Sequence, residues 1–331
     1  MERLNLITVA GGGDCPEMSI RGLINAVENA LPNSQAFLFS DASAKDYLLF
    51  DHVAALIQRK QTSVNFMLTG DCDGPNEPGF KVYEKIARVG GGQVFNMQRD
   101  NVRDVLVALS VSLESDFVTF RSIDSDEAGT SLTTLELDET IKRVSVSLSG
   151  RNAQLSIKNS ANNRVVSNET FSSENIQIVT FDVTDSKYLI EASAKSAFSL
   201  RVGGISSLKF EFGFSRQEPK KQSETYIRPL SGQQNVLSIF VSDFSLIKSL
   251  ETAKILPAST LDSFDEFEME LKLNNGFFST NLFEIPKQMF RIQIFGTDNG
   301  GNVIERVIST GIESISTSKI LKMLQTRIFL I

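Results

Sequence analysis

Residues 35–60, "QAFLFSDASAKDYLLFDHVAALIQRK", join a short apolar run to a helical pattern across an acidic loop. The run 35–40 does not alternate, which predicts a strand buried on both faces. Tyr47, Phe50, Val53, Ala54 and Ile57 then recur at helical spacing. The unit repeats: "VNFMLT" (64–69) precedes "FKVYEKIARVG" (80–90), a helix pattern stopped by glycines, and "QVFN" (93–96) precedes "DNVRDVLVALSVSL" (100–113). Upstream, "MSIRGLINAVENAL" (18–31) reads as another helix. Apolar strands separated by amphipathic helices predict a parallel sheet in an α/β layer.

From about Ser131 the period changes to two. "KRVSVSLSG" (142–150), "AQLSIKN" (153–159), "IQIVTFD" (176–182), "KYLIEASA" (187–194), "FSLRVGG" (198–204) and "LKFEFGF" (208–214) predict an antiparallel sandwich. Phe210, Phe212 and Phe214 alternate, and so belong to its core. "RQEPKKQSE" (216–224) reads as a linker. A second β series follows in "NVLSIFVS" (235–242), "FEMELKL" (267–273) and "MFRIQIFGTDNGGNVIERVIS" (289–309), the last a hairpin with "DNGG" at its turn. The chain thus reads as multidomain, α/β plus all-β: residues 1–115, a sandwich over 116–217, a second over 222–312, and a tail over 313–331.

The formal net charge of −7 excludes a nucleic-acid footprint, which needs clustered Lys and Arg. No stretch reaches the roughly 18 apolar residues that span a bilayer. The opening "MERLNLITVA" is too short for a secretory signal. His52 is the one histidine, and no serine or cysteine nucleophile motif accompanies it, so the chain reads as no enzyme. Cys15 and Cys72 allow one disulfide or two free thiols. Asn168, before Glu169 and Thr170, forms a glycosylation sequon.

"GGGDCPEMS" (11–19) admits three readings. As a phosphate cradle it fails, because Pro16 stands where a third glycine belongs and two carboxylates would face the phosphate. As a helix cap, Asp14 and Glu17 sit at capping-box spacing around Pro16. As a cation site, these acids would join Asp41, and Asp71 and Asp73 after the next strand, at the carboxyl edge where open α/β sheets place their sites.

"GGGDCPEMSIRGLINAV", "FLFSDASAKDY" and "FMLTGDCDG…YEKIARVGGGQVF" resemble the second half of the von Willebrand factor A domain of the hemicentin family and related proteins. "LRVGGISSLKFEFGFS" resembles the end of that family's galactose-binding-like domain, and "IFGTDNGGNVIERV" the closing hairpin of its Ig-like domain. The resemblance implies a Rossmann-like A domain, two sandwiches, secretion to the extracellular matrix, and non-enzymatic adhesion to matrix or cell-surface proteins. It also implies a metal-ion-dependent adhesion site for Mg²⁺ or Ca²⁺. Asp41 matches the third-loop aspartate of that site, Glu17 resembles a second-loop ligand, and Asp14 is an auxiliary ligand or the cap. The first-loop Asp-x-Ser-x-Ser is missing; "DASAK" (41–45) imitates it only until Lys45. The expectation is therefore a truncated domain with a weak or absent cation, an open apolar edge along 35–40, and a Cys15–Cys72 disulfide at one end of the sheet.

Overall fold

The structure is a computed structural model that describes residues 15–72, 74–262 and 264–315. The α/β part runs α1 (Ser19–Asn29), β1 (Gln35–Ser40), α2 (Phe50–Lys60), β2 (Ser63–Leu68), α3 (Pro78–Gly90), β3 (Val94–Asn96) and α4 (Val102–Ala108). The three strands pair in parallel in the order β1-β2-β3. The pleat sends Val64, Phe66 and Leu68 of β2 to one face, where α1, α2 and α3 cover them. Met67 points the other way, towards Phe95, α4 residues Val105 and Ala108, and Ile176 and Ile178 from the following β region. A sandwich strand thus shares with a short helix the layer that a doubly wound fold gives to helices alone, so the Rossmann-like expectation holds only in part.

The next strands are β4 (Phe117–Ser125), β5 (Gly129–Glu136), β6 (Ile141–Gly150), β7 (Gln154–Asn159), β8 (Glu169–Ser172), β9 (Ile176–Asp182), β10 (Lys187–Ala194) and β11 (Phe198–Ser206). They form two antiparallel sheets, β5-β10-β7 and β4-β11-β6-β9-β8. Between these sheets lie Leu135, Tyr188 and Ile190 from one, and Val144, Val146, Leu148, Phe181 and Leu200 from the other, all nearly inaccessible.

The last strands are β12 (Phe210–Ser215), β13 (Gln234–Val241), β14 (Ile247–Pro257), β15 (Phe267–Glu270), β16 (Lys272–Asn274), β17 (Phe277–Ser279), β18 (Phe283–Glu284), β19 (Phe290–Asp298) and β20 (Val303–Ile312). One sheet is β12-β13-β17-β16, with β18 on β13, and the other is β15-β14-β19-β20.

Three expectations are revised here. The β region begins at Phe117, ahead of Ser131. Phe210–Ser215 pairs with β13, so Phe212 and Phe214 enter the core of the second sandwich and not the first, and the crossing precedes the 217 boundary. "FEMELKL" is two strands in two sheets, divided at the buried Leu271. Of the expected tail, residues from 316 onward lie outside the described residues.

Candidate functional site: the loops at the carboxyl edge of the parallel sheet

β1 and β2 run in parallel, so the loops that follow them emerge on the same side. The segment that leads into α1 joins them there. The Glu17 N–H donates to the Ser43 carbonyl at 2.9 Å, and the Lys45 N–H donates to the Glu17 carbonyl at 2.6 Å. Glu17 and Asp41 therefore belong to adjoining loops. Cys15 and Cys72 are joined in a disulfide with their Cα atoms 5.6 Å apart, which ties the same segment to the loop after β2. That loop also passes so close to Asp41 that a Cβ on Gly70 would stand 2.5 Å from the Asp41 carbonyl oxygen, where only glycine fits.

The cap of α1 is not the one expected. The helix starts at Ser19, and its N-cap residue Met18 makes no side-chain hydrogen bond. Asp46, from the loop after β1, supplies the carboxylate: Oδ1 accepts from Ile20 N–H at 3.1 Å and Oδ2 from Arg21 N–H at 2.8 Å. These are amides with no partner inside the helix, and the carboxylate also meets the positive end of the helix dipole. Tyr83 of α3 completes the knot. Its hydroxyl donates to the Ala42 carbonyl at 3.0 Å and shares a 2.7 Å hydrogen bond with Ser19 Oγ. Burial pushes the Tyr83 phenol above its ordinary pKa, so it stays a donor throughout the physiological range. Nothing in the sequence marked Asp46 or Tyr83, because both act across distant loops.

The exposed Asp41 carboxylate lies 3.5 Å from Arg99 Nη2, an ion pair open to solvent. Glu17 is exposed as well, and Asp71 Oδ1 accepts from Gly74 N–H. Asp14 and Asp73 lie outside the described residues. Among the described residues no group of three or more His, Cys, Asp or Glu side chains is placed to hold a metal ion. Mg²⁺ and Ca²⁺ take about six to eight oxygen ligands; among the described residues these two adjoining loops bring Glu17 and Asp41, the latter facing Arg99. The arrangement instead presents polar and acidic groups beside three exposed apolar side chains, Met18, Tyr47 and Leu48.

His52 is exposed on α2. Asn168 is exposed just before β8, and its Nδ2 donates to Asp182 Oδ2 at 2.7 Å. No helix among the described residues is long and apolar enough to cross a membrane.

The family described as von Willebrand factor A domain matches residues 1–99. Mouse hemicentin-1 is 32% identical over 94% of this chain, and mouse hemicentin-2 is 31% identical over 95% of it. Mouse von Willebrand factor A domain-containing protein 7 is 35% identical over 34% of the chain and 14% of its own length. The chain spans 6% of the length of either hemicentin. A parallel sheet with its loops knotted at the carboxyl edge, an A-domain match over that same segment and hemicentin similarity along nearly all the rest lead to one assignment: the chain belongs to the hemicentin and von Willebrand factor A domain family.

Proposed function

We propose that this chain is a non-enzymatic adhesion module of the extracellular matrix, which meets protein partners through the loops at the carboxyl edge of its parallel sheet. One observation carries the reading: three loops from separate parts of the sequence are fastened into one surface by the Glu17–Ser43 and Lys45–Glu17 hydrogen bonds, the Asp46 cap and the Cys15–Cys72 disulfide. A fastened surface with exposed Met18, Tyr47 and Leu48 beside Asp41 and Arg99 suits contact with another protein. The disulfide suits an oxidising compartment, and secretion makes Asn168 available for glycosylation. The hemicentin relationship supports the same setting. Glu17 and Asp41, with Asp14, are the acids this chain brings to a metal-ion-dependent adhesion site. They hold Mg²⁺ or Ca²⁺ weakly at most, so the partner contact is made by the protein surface itself.

The test is saturable binding of the chain to decellularised matrix, measured for wild type, Leu48→Glu and Asp41→Arg. Binding is expected to fall about tenfold or more for each variant, the loss of about 1.4 kcal/mol of contact energy, and to persist in EDTA. Binding that ignores both substitutions would overturn the assignment of this face. Calorimetric titration with Ca²⁺ that gave a submicromolar Kd would overturn the weak-cation reading.

A further inference from the structure

In a parallel ladder, alternate residues of a strand turn both main-chain groups to the same neighbour. The Ser63 N–H donates to the Ser34 carbonyl at 2.9 Å and the Thr69 N–H to the Ser40 carbonyl at 3.0 Å. Ala36, Leu38 and Ser40 of β1 therefore serve β2. Gln35, Phe37 and Phe39 turn their N–H and C=O groups outward, and no strand among the described residues meets them there. We propose that this edge pairs with β1 of a second copy of the chain. The two strands run antiparallel about a two-fold axis, and one sheet passes through both copies.

The sequence of the edge selects the occupant. "QAFLFS" bears no charge, so nothing in it repels an identical strand. The edge strands β15 and β16, by contrast, carry Glu268, Glu270 and Lys272, which discourage such pairing. A two-fold axis normal to the sheet sets residues of the same face opposite each other. Ala36 and Leu38 face α1, α2 and α3, whereas Phe37 faces α4, and the pleat puts Phe39 beside it. Centring the pair on Leu38 places each Phe37 against Phe39 of the other copy, and these are residues whose main-chain groups point outward. Cross-strand aromatic pairs are favourable, and Phe39, exposed in the single copy, gains cover. Centring on Phe37 would set Phe39 against Gln35. The flank suits the same occupant. Val102, Leu106 and Val107 of α4 line a shallow groove on this side, and Val107 is exposed. Arg99, Asp100, Arg103 and Asp104 accompany them, cations and acids in equal number, so a second copy meets no net like charge. Antiparallel pairing also sends the two sets of sheet-edge loops to opposite ends of the joined sheet, which makes the pair bivalent for partners held at those loops.

The test is sedimentation equilibrium of the whole chain. Reversible dimerisation is expected with a Kd of about 10–100 µM, since one strand pair with its flank is a small interface. Phe39→Lys should weaken it about tenfold or more, because both aromatic pairs are lost and two charges enter the seam. Cross-linking checks the register. Cys15 and Cys72 are the chain's two cysteines and are paired, so an introduced thiol is the free one. Leu38→Cys meets its own copy across the axis and should join under oxidised glutathione. Ala36→Cys stands about 14 Å from its copy and should not. A measurement on the unaltered chain guards against misfolded variants: hydrogen exchange of the Phe37 and Phe39 amides should slow as protein concentration rises. A chain still monomeric at about 500 µM overturns the proposal, as does a dimer that Phe39→Lys leaves unchanged. Equal cross-linking of the two cysteine variants overturns it as well. So does protection of both amides that is the same at every concentration, which would mean the edge is covered from within one chain. None of these measurements uses a matrix partner, so their failure is distinct from failure of the loop surface.

Discussion

Asp46 and Asp124 show how one residue type does two jobs according to what faces it. Asp46 holds two amides of α1. Asp46→Ala should lower stability by about 1 kcal/mol, the usual worth of an N-terminal cap, with Asp46→Asn losing less, as read by urea denaturation. Asp124 is 5% exposed and lies between Arg201 Nη2 at 2.8 Å and Arg291 Nη2 at 2.7 Å. Burial alone would raise its pKa. The two guanidinium charges, with hydrogen bonds from Ser199 and Arg291, outweigh burial and hold the carboxyl well below the usual carboxylate range. A group depressed in the folded state stabilises fully above its unfolded pKa, about 3.9, and loses that contribution as pH falls towards the folded value. Asp124→Asn should therefore cost about 3–5 kcal/mol at neutral pH, as expected when one partner of a buried ion pair is removed. Urea midpoints measured from pH 7 down to about 3 should show the gap between wild type and variant steady at first and narrowing below about pH 4.

At the scale of elements, the parallel strands were legible as short apolar runs, and β2 meets the buried packing such a run predicts, whereas no residue of β1 is buried, because β1 pairs on one side alone among the described residues. β4 was missed because "DFVTFRSIDSDE" breaks its apolar pattern with Asp124, whose arginine partners lie 77 and 167 residues away. "FEMELKL" was read as one strand because a local period cannot say where a chain changes sheets; partner strands decide that. Glu17 and Asp41 were legible as edge-loop acids, whereas Arg99 and Asp46 become visible only through tertiary contact. β1 pairs only with β2 among the described residues, carries no charge, proline or bulge, and leaves Phe39 54% exposed. Such an edge invites pairing. Phe39→Lys should reduce concentration-dependent association in sedimentation velocity while moving the unfolding midpoint by less than about 0.5 kcal/mol in equivalent stability. The disulfide closes a loop with a sequence separation of 57. By the chain-entropy relation its reduction should cost up to about 4 kcal/mol, read as the difference between urea curves with and without dithiothreitol.

Across the whole molecule, the same Asp124 is the point where the three parts of the chain meet. Arg201, on β11, donates to the Gly91 carbonyl at 3.0 Å and the Gly92 carbonyl at 2.8 Å, just past α3. Gly91 ends that helix at φ 69°, and a Cβ there would stand 2.6 Å from the Ser309 carbonyl of β20, so glycine is required twice over. Arg291, on β19, donates to the carbonyls of Ser122, Ala258, Ser309 and Arg88, and so spans the first sandwich, the second sandwich and α3 with one side chain. A second junction, Arg306 to Asp138 at 2.7 Å, fixes β20 against the first sandwich. Buried pairs of this kind gain little net stability over an apolar core, but they penalise every arrangement in which either partner is left alone. The consequence is one preferred orientation of the sheet-edge loops relative to both sandwiches. Arg291→Met keeps the volume and removes the donors, stranding Asp124 with one cation. The variant should lose the single cooperative urea transition in favour of two, show a larger radius of gyration in small-angle scattering, and become open to protease between residues 216 and 224. In the Asp124→Asn background the same substitution should cost about 1–3 kcal/mol less, since the pair is already broken. Additive costs and an unchanged scattering profile would show that the three parts are held together elsewhere.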